Sequence, residues 1–215
     1  MIEFSLWDIA RQLLLALRWT AALSAIAFAG GGLLGLAFLV ARLARVPGAA
    51  SVTAVYVHLF QGTPLLMQLF LCYFGLAMLG VDTSPLFAAS VCLVLYTGAY
   101  LTEIWRGCIE AIPRGQWEAA LSLALNLREQ LRYVIAPQAM RIAVAPTVGF
   151  LVQVIKGTAL TSVIGFVEIT KAGQMIANAT YEPFLVYSCV GLLYFALCYP
   201  LSLWSRQIER RLRRT

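Results

Sequence analysis

Apolar residues fill this chain in long runs separated by short polar intervals. Five runs reach about membrane-spanning length, at about 19–41, 52–79, 86–106, 142–157 and 184–205, because roughly 20 apolar residues carry a helix across a bilayer. Ahead of the first, Phe4, Leu6, Trp7, Ile9, Leu13 and Leu14 alternate at helical spacing with Glu3, Asp8, Arg11 and Arg18. That spacing predicts an interfacial N-terminal helix over 1–18, with Trp7 and Trp19 at headgroup level. Gly30-Gly31-Gly32 and Gly35 in the first run permit close helix contact, and Arg42, Arg45 and Pro47-Gly48 end it. The second run holds His58, Gln61-Gly62-Thr63-Pro64 and Gln68. Polar groups with Gly and Pro at membrane depth must face protein or a water-filled path. Residues 107–141 are polar and mostly helical, bracketed by Pro113 and Pro137. Residues 158–183 read as a mixed loop containing Glu168, Lys171 and Glu182, and 209–215 as a basic tail.

Composition agrees with this pattern. The chain is 61% hydrophobic and 12% charged, about half the charged fraction of a soluble domain, and its mean hydropathy is +0.81. Five spans leave no room for a soluble catalytic domain. The charge is unevenly placed. Twelve basic residues (Arg42, Arg45, Arg106, Arg114, Arg128, Arg132, Arg141, Arg206, Arg210, Arg211, Arg213, Arg214) fall on the side of the C-terminus, and four (Arg11, Arg18, Lys156, Lys171) on the other. The positive-inside rule then puts the C-terminus and 107–141 in the cytoplasm and the N-terminus outside. The Arg-rich tail reads as an anchor to anionic headgroups rather than a nucleic-acid surface. Glu3 and Asp8 precede Arg11, so the first segment reads as a retained span rather than a signal peptide. Glu103 and Arg106, three apart, form a structural pair on one helix face.

The chain lacks the usual signatures of bound metal or nucleotide. The five Cys form no C-x-x-C pair and His58 is the only His, which argues against zinc. Lys156-Gly157-Thr158 has the wrong order for a phosphate loop, so ATP must bind elsewhere.

Several motifs then stand in order: Gly62-Thr63-Pro64-Leu65-Leu66, Gly98-Ala99-Tyr100-Leu101-x-Glu103-Ile104, Ile112-Pro113-x-Gly115-Gln116-Trp117-Glu118-Ala119-Ala120, Arg132-Tyr133-Val134-Ile135-x-Pro137-Gln138-Ala139 and Ser162-Val163-Ile164-Gly165. Over about 50–208 the chain resembles the permease subunits of polar amino-acid ABC importers, the histidine/glutamine permease group. The resemblance implies an all-α membrane protein, a five-helix type I importer transmembrane domain over 19–208 with a cytoplasmic coupling helix. It implies a pair of cytoplasmic ATPase subunits that bind ATP and Mg, a second permease subunit, identical or paralogous, and an extracytoplasmic solute-binding protein. No cofactor is expected in this chain.

The same resemblance implies ATPase coupling through Gln116, Glu118, Ala119, Ala120, Ala124, Arg128, Ile135 and Pro137. Glu118 is expected near the start of a helix, where a carboxylate suits the positive end of the dipole. Ala124 stands where the family usually has Gly, and Ala136 where it usually has Leu, so the bend between two short helices is open to change. Gln61, Gly62, Thr63, Lys156, Thr158 and Glu168 are the candidates for the substrate path. Gln61 replaces a common Arg and Gly157 a common acidic residue, which fits a neutral substrate or a subunit that contacts substrate little. The competing function is a stand-alone secondary transporter or channel. It would call for intramembrane acids, and Glu103 already has Arg106 beside it; no internal inverted repeat is visible.

Overall fold

The computed structural model describes residues 5–212, which are helical apart from short links. α1 spans Leu6–Leu43, opened by a capping box between Ser5 and Asp8. Residues 6–18 are therefore the first turns of the same helix that carries the first span, and not a separate interfacial element; Glu3 and Phe4 lie outside the described residues. Two causes are visible. No Gly or Pro interrupts residues 6–29, and Ile9 and Leu13 are buried in a cluster with Ile169, Ile176, Val186 and Val190.

The second run is broken. α2 (Ala49–Gln61) and α3 (Leu65–Met78) meet at an angle of 102°. Pro64 has no N–H and disfavours helix in the residue before it, and its own backbone is extended (φ −64°, ψ 135°). α4 spans Pro85–Glu110, with the Ser84 hydroxyl accepting from the Phe87 N–H. α5 spans Arg114–Ser122. After a turn, α6 (Leu127–Glu129) continues through a widened π turn (Gln130–Ile135) into α7 (Ala136–Gly157). The fourth membrane segment thus begins well before residue 142. Pro137 explains the widening: its ring crowds the carbonyl one turn back and it donates no hydrogen bond.

A 3-10 turn, Thr158–Ile164, leads to α8 (Ile169–Thr180) and α9 (Pro183–Leu212). The expected mixed loop over 158–183 therefore contains a helix, whose Ile169, Gly173, Ile176 and Ala177 face inward. Residues 209–212 close α9 rather than forming a detached tail; Arg213 and Arg214 lie outside the described residues.

Among the described residues four helical runs are long and apolar enough to span a membrane, and the bent α2–α3 pair makes a fifth if it is one span. Their closest crossing joins α1 to α4. A Cβ on Gly31 would lie 2.5 Å from Thr97 Cβ, and one on Gly35 would lie 3.0 Å from the Gly98 carbonyl oxygen. The Thr102 hydroxyl, bonded within α4 to the Gly98 carbonyl at 2.7 Å, also lies 3.4 Å from the Gly35 carbonyl of α1. In a bilayer, where lipid tails are as apolar as leucine, close contact of this kind holds helices together. The interior includes Leu23, Leu69, Leu93, Leu101, Phe150 and Val154. Leu33, Met78, Phe184 and Leu192 stand exposed on the outside of the bundle.

Candidate functional site: a polar hairpin, a broken helix and a cationic groove

The residues singled out from sequence fall in three places. The first is the hairpin of α5 and α6. α5 docks by Trp117 onto a cluster of Ile112, Ile135 and Ala139, with Ala120 buried beneath it. Gln116, Glu118 and Ala119 remain exposed, beside Leu121 and Leu123, which are 61% and 74% exposed. α5 starts at Arg114 and has no acid in its first turn. Glu118 therefore sits mid-helix, and the expected dipole stabilisation does not apply; its carboxylate is presented outward instead.

The turn out of α5 is held by side chains. Ala124 takes a left-handed conformation, φ 56°, so the bend that glycine would make is made here by alanine. The Gln130 amide, nearly buried, donates to the Leu125 carbonyl at 2.7 Å. Asn126 and Glu129 form a reciprocal cap, with the Asn126 N–H donating to Glu129 at 2.8 Å and the Glu129 N–H donating to Asn126 at 3.1 Å. Arg128 is exposed and Ile135 fully buried, and Pro137 lies in the first turn of α7. Gln138 donates to the Val134 carbonyl at 2.8 Å and to Gln116 Oε1 at 3.2 Å. Gln130 escaped the sequence reading, and Gln138 stood in it only as part of a motif, because their acceptors are a turn's backbone and a residue of another helix.

The second place is the break between α2 and α3. Gln61, Gly62 and Thr63 are exposed. The Thr63 hydroxyl donates to the Leu59 carbonyl at 2.7 Å. The Gln68 side chain, nearly buried, donates to the Phe60 carbonyl at 2.9 Å and to the Thr63 carbonyl at 3.0 Å. It satisfies backbone groups that the missing helical turn leaves free.

The third place is the far end of α7. Lys156 is exposed and lines a groove of about 260 Å³ between α7 and α9 with Tyr194, Phe195, Cys198, Tyr199, Ser202, Leu203 and Arg206. The groove is lined by Lys156 and Arg206 and by the hydroxyl-bearing Tyr199 and Ser202, with no carboxylate; the Tyr194 hydroxyl is turned to Glu168. Gly157 brings this end close to the break, since a Cβ there would meet Leu65 Cδ2 at 3.3 Å. Thr158 and Glu168 turn inward, both fully buried. The Thr158 hydroxyl donates to the Ile155 carbonyl at 2.7 Å. Glu168 caps α8, accepting from the N–H groups of Thr170 and Lys171, each at 2.9 Å. Burial pushes its carboxyl above the usual carboxylate range, and the bonds from Thr170, Tyr194 and Lys171 oppose that rise. Tyr194, Tyr199 and Ser202 were missed and Arg206 was read only for its charge; their recurrence along one side of α9 is the signal that could have found them.

Glu103 and Arg106 meet as expected from their spacing, Arg106 Nε lying 2.9 Å from each Glu103 oxygen. Glu110 extends the pair, 2.5 Å from Arg106.

Residues 33–214 match the family of binding-protein-dependent transport system inner membrane components. The chain is 34% identical to the L-cystine transport system permease protein TcyB of Bacillus subtilis, over 97% of this chain and 92% of that one. It is also 34% identical to the glutamine transport system permease protein GlnP of Escherichia coli, over 97% of this chain and 96% of that one. Among solved structures, an amino acid ABC transporter crystallised with histidines superposes with a TM-score of 0.91 at 31% identity, covering 98% of this chain and 99% of the other. A methionine ABC transporter in an inward-facing state shares the fold, with a TM-score of 0.72 at 21% identity over 98% of this chain and 99% of that one. An all-helical bundle with a broken span and a polar hairpin therefore has close counterparts in sequence and in structure. The chain belongs to the binding-protein-dependent inner membrane component family, as a multi-pass permease subunit of an amino-acid ABC importer whose ATPase is a separate chain.

Proposed function

We propose that this subunit moves a polar amino acid by alternating access. The α5–α6 hairpin docks on a cytoplasmic ATPase pair, and the groove beside Lys156 forms part of the path. ATP and Mg bind to the ATPase. A second permease subunit closes the path, and an extracytoplasmic binding protein delivers the cargo. The Arg distribution supports a cytoplasmic C-terminus and hairpin. One observation carries this reading: the exposed surface of Glu118, Ala119, Leu121 and Leu123 joins, through the α6 π turn, the same helical run that ends at Lys156. Nucleotide can drive such a change only by its differential affinity for the two states.

The groove's chemistry narrows the cargo. Lys156, with the hydroxyls of Tyr199 and Ser202 beside it and no carboxylate in the groove lining, suits the α-carboxylate of an amino acid. Gln61, Gly62 and Thr63 line the approach from the break. The relatives named for glutamine and cystine make those two the first cargos to try. The test is uptake into proteoliposomes holding the permease, ATPase and binding protein, with labelled L-glutamine and L-cystine offered in parallel. Uptake that needs ATP and falls in Lys156→Ala, with assembly intact, supports the reading. Uptake by the permease alone without ATP would instead favour the stand-alone transporter.

A further inference from the structure

The groove beside Lys156 has one wall fixed from behind. Tyr194 contributes its ring to the groove, while its hydroxyl donates to Glu168 Oε2 at 2.7 Å. The same carboxylate caps α8 through the Thr170 and Lys171 N–H groups, and the Thr170 hydroxyl lies 3.2 Å from the Tyr194 oxygen. α8 is in turn tied to α1, the Ile169 N–H donating to the Thr20 hydroxyl at 3.2 Å. Near this clasp α8 and α9 are in tight contact, since a Cβ on Gly173 would lie 2.6 Å from Val190 Cγ2. Lys171 turns its ammonium to Gln174 at 3.0 Å, so Glu168 is held by two backbone N–H groups, the Tyr194 phenol and the Thr170 hydroxyl, and by no cation.

Capping alone does not explain glutamate at this position. Ser, Thr, Asp and Asn are the preferred caps, and any of them avoids burying a longer carboxylate at a cost in desolvation. What the extra methylene adds is reach from the start of α8 to Tyr194 on α9. We propose that Glu168 is a positioning residue for transport: through the Tyr194 hydroxyl it fixes the α9 wall of the Lys156 groove, and so sets the affinity of the translocation path for its amino acid without touching it. This rests on the groove being part of the path.

The experiment is uptake kinetics in proteoliposomes of the complete complex, with labelled L-glutamine, L-cystine and L-histidine offered in parallel. The cargo that the wild type takes up best is used throughout. Tyr194→Phe removes one oxygen and keeps the ring. It should raise KM about fivefold, the scale of one lost hydrogen bond to a charged group, with maximal rate and assembly unchanged within about twofold. Glu168→Asp keeps a capping carboxylate but is too short to reach Tyr194, and should reproduce that KM. Combining the two should add little to Tyr194→Phe alone, because that change already removes the Glu168–Tyr194 bond along with the longer Thr170 contact.

A merely structural clasp would instead lower the maximal rate or the yield of complex at unchanged KM, and that result overturns the proposal. So does an unchanged KM in Tyr194→Phe when Lys156→Ala raises it. An unchanged KM in Lys156→Ala removes the groove from the path and overturns both readings, as does failure to take up any of the three amino acids.

Discussion

Gln68 reaches back across the break to Thr63, its amide 3.0 Å from the Thr63 carbonyl and 2.8 Å from the Thr63 hydroxyl. One side chain thus stands in for the helical turn that Pro64 forbids. Gln68→Met keeps the length and removes both donors. It is expected to cost about 1–3 kcal/mol for the carbonyls left unpaired away from water. The check is a lower melting temperature of the purified complex, with Gln68→Met falling well below Gln153→Met, an exposed control on α7.

Two neighbouring glycines of α1 should respond in opposite ways. Gly31→Ala places a Cβ 2.5 Å from Thr97, and overpacking of this kind costs about 1–3 kcal/mol. At Gly32 the nearest atoms, Leu101 Cδ1 and the Trp105 ring, are 3.9 Å away, so Gly32→Ala should be neutral or stabilising by up to about 1 kcal/mol. Monodisperse yield in size-exclusion chromatography separates the two. Equal behaviour would contradict the close α1–α4 crossing.

Ala124 holds a left-handed backbone at φ 56°, where an L-residue loses about 1–2 kcal/mol. Ala124→Gly relieves this and costs about 0.5–1 kcal/mol in chain entropy, for a net gain on the order of 0.5 kcal/mol. Ala124→Val, β-branched at positive φ, should be clearly worse than either. Thermal melts of the three variants give the ranking Gly, Ala, Val.

Glu118 is exposed in the middle of α5, and among the described residues its carboxylate forms no ion pair. Glu118→Lys should therefore leave the melting temperature of the isolated permease unchanged while reducing copurification with the ATPase and abolishing ATP-driven uptake. Normal copurification with normal uptake would remove Glu118 from the docking surface.

Most of the spanning helices were legible because lipid leaves the sequence little choice. Long apolar runs, the Gly-rich face of α1 and the Gly62-Thr63-Pro64 interruption each have one physical reading. The hidden parts depend on partners far away in the chain. Nothing local to Leu6–Arg18 says that Ile9 and Leu13 will be covered by α8 and α9. Glu168 announces itself as polar but not as a cap reaching Tyr194, 26 residues on. α8 went unread although Ile169, Gly173, Ile176 and Ala177 recur on one helical face, because its mixed polarity resembles a loop. The bend at Ala124 was visible only as a question, since sequence does not reveal the sign of φ.

No loop separates the turn at Ala124 from Lys156. The run over 127–157 is helical throughout, with a π turn at Gln130–Ile135 and Pro146 inside it, and at 1.5 Å per residue it is about 45 Å long. A rod of that length magnifies motion: a tilt of about 5° at its base sweeps its tip by about 4 Å, by the same rise per residue. Such a crankshaft would let a small swing at the hairpin reshape the groove at the other end of the run, with no signal relayed from residue to residue.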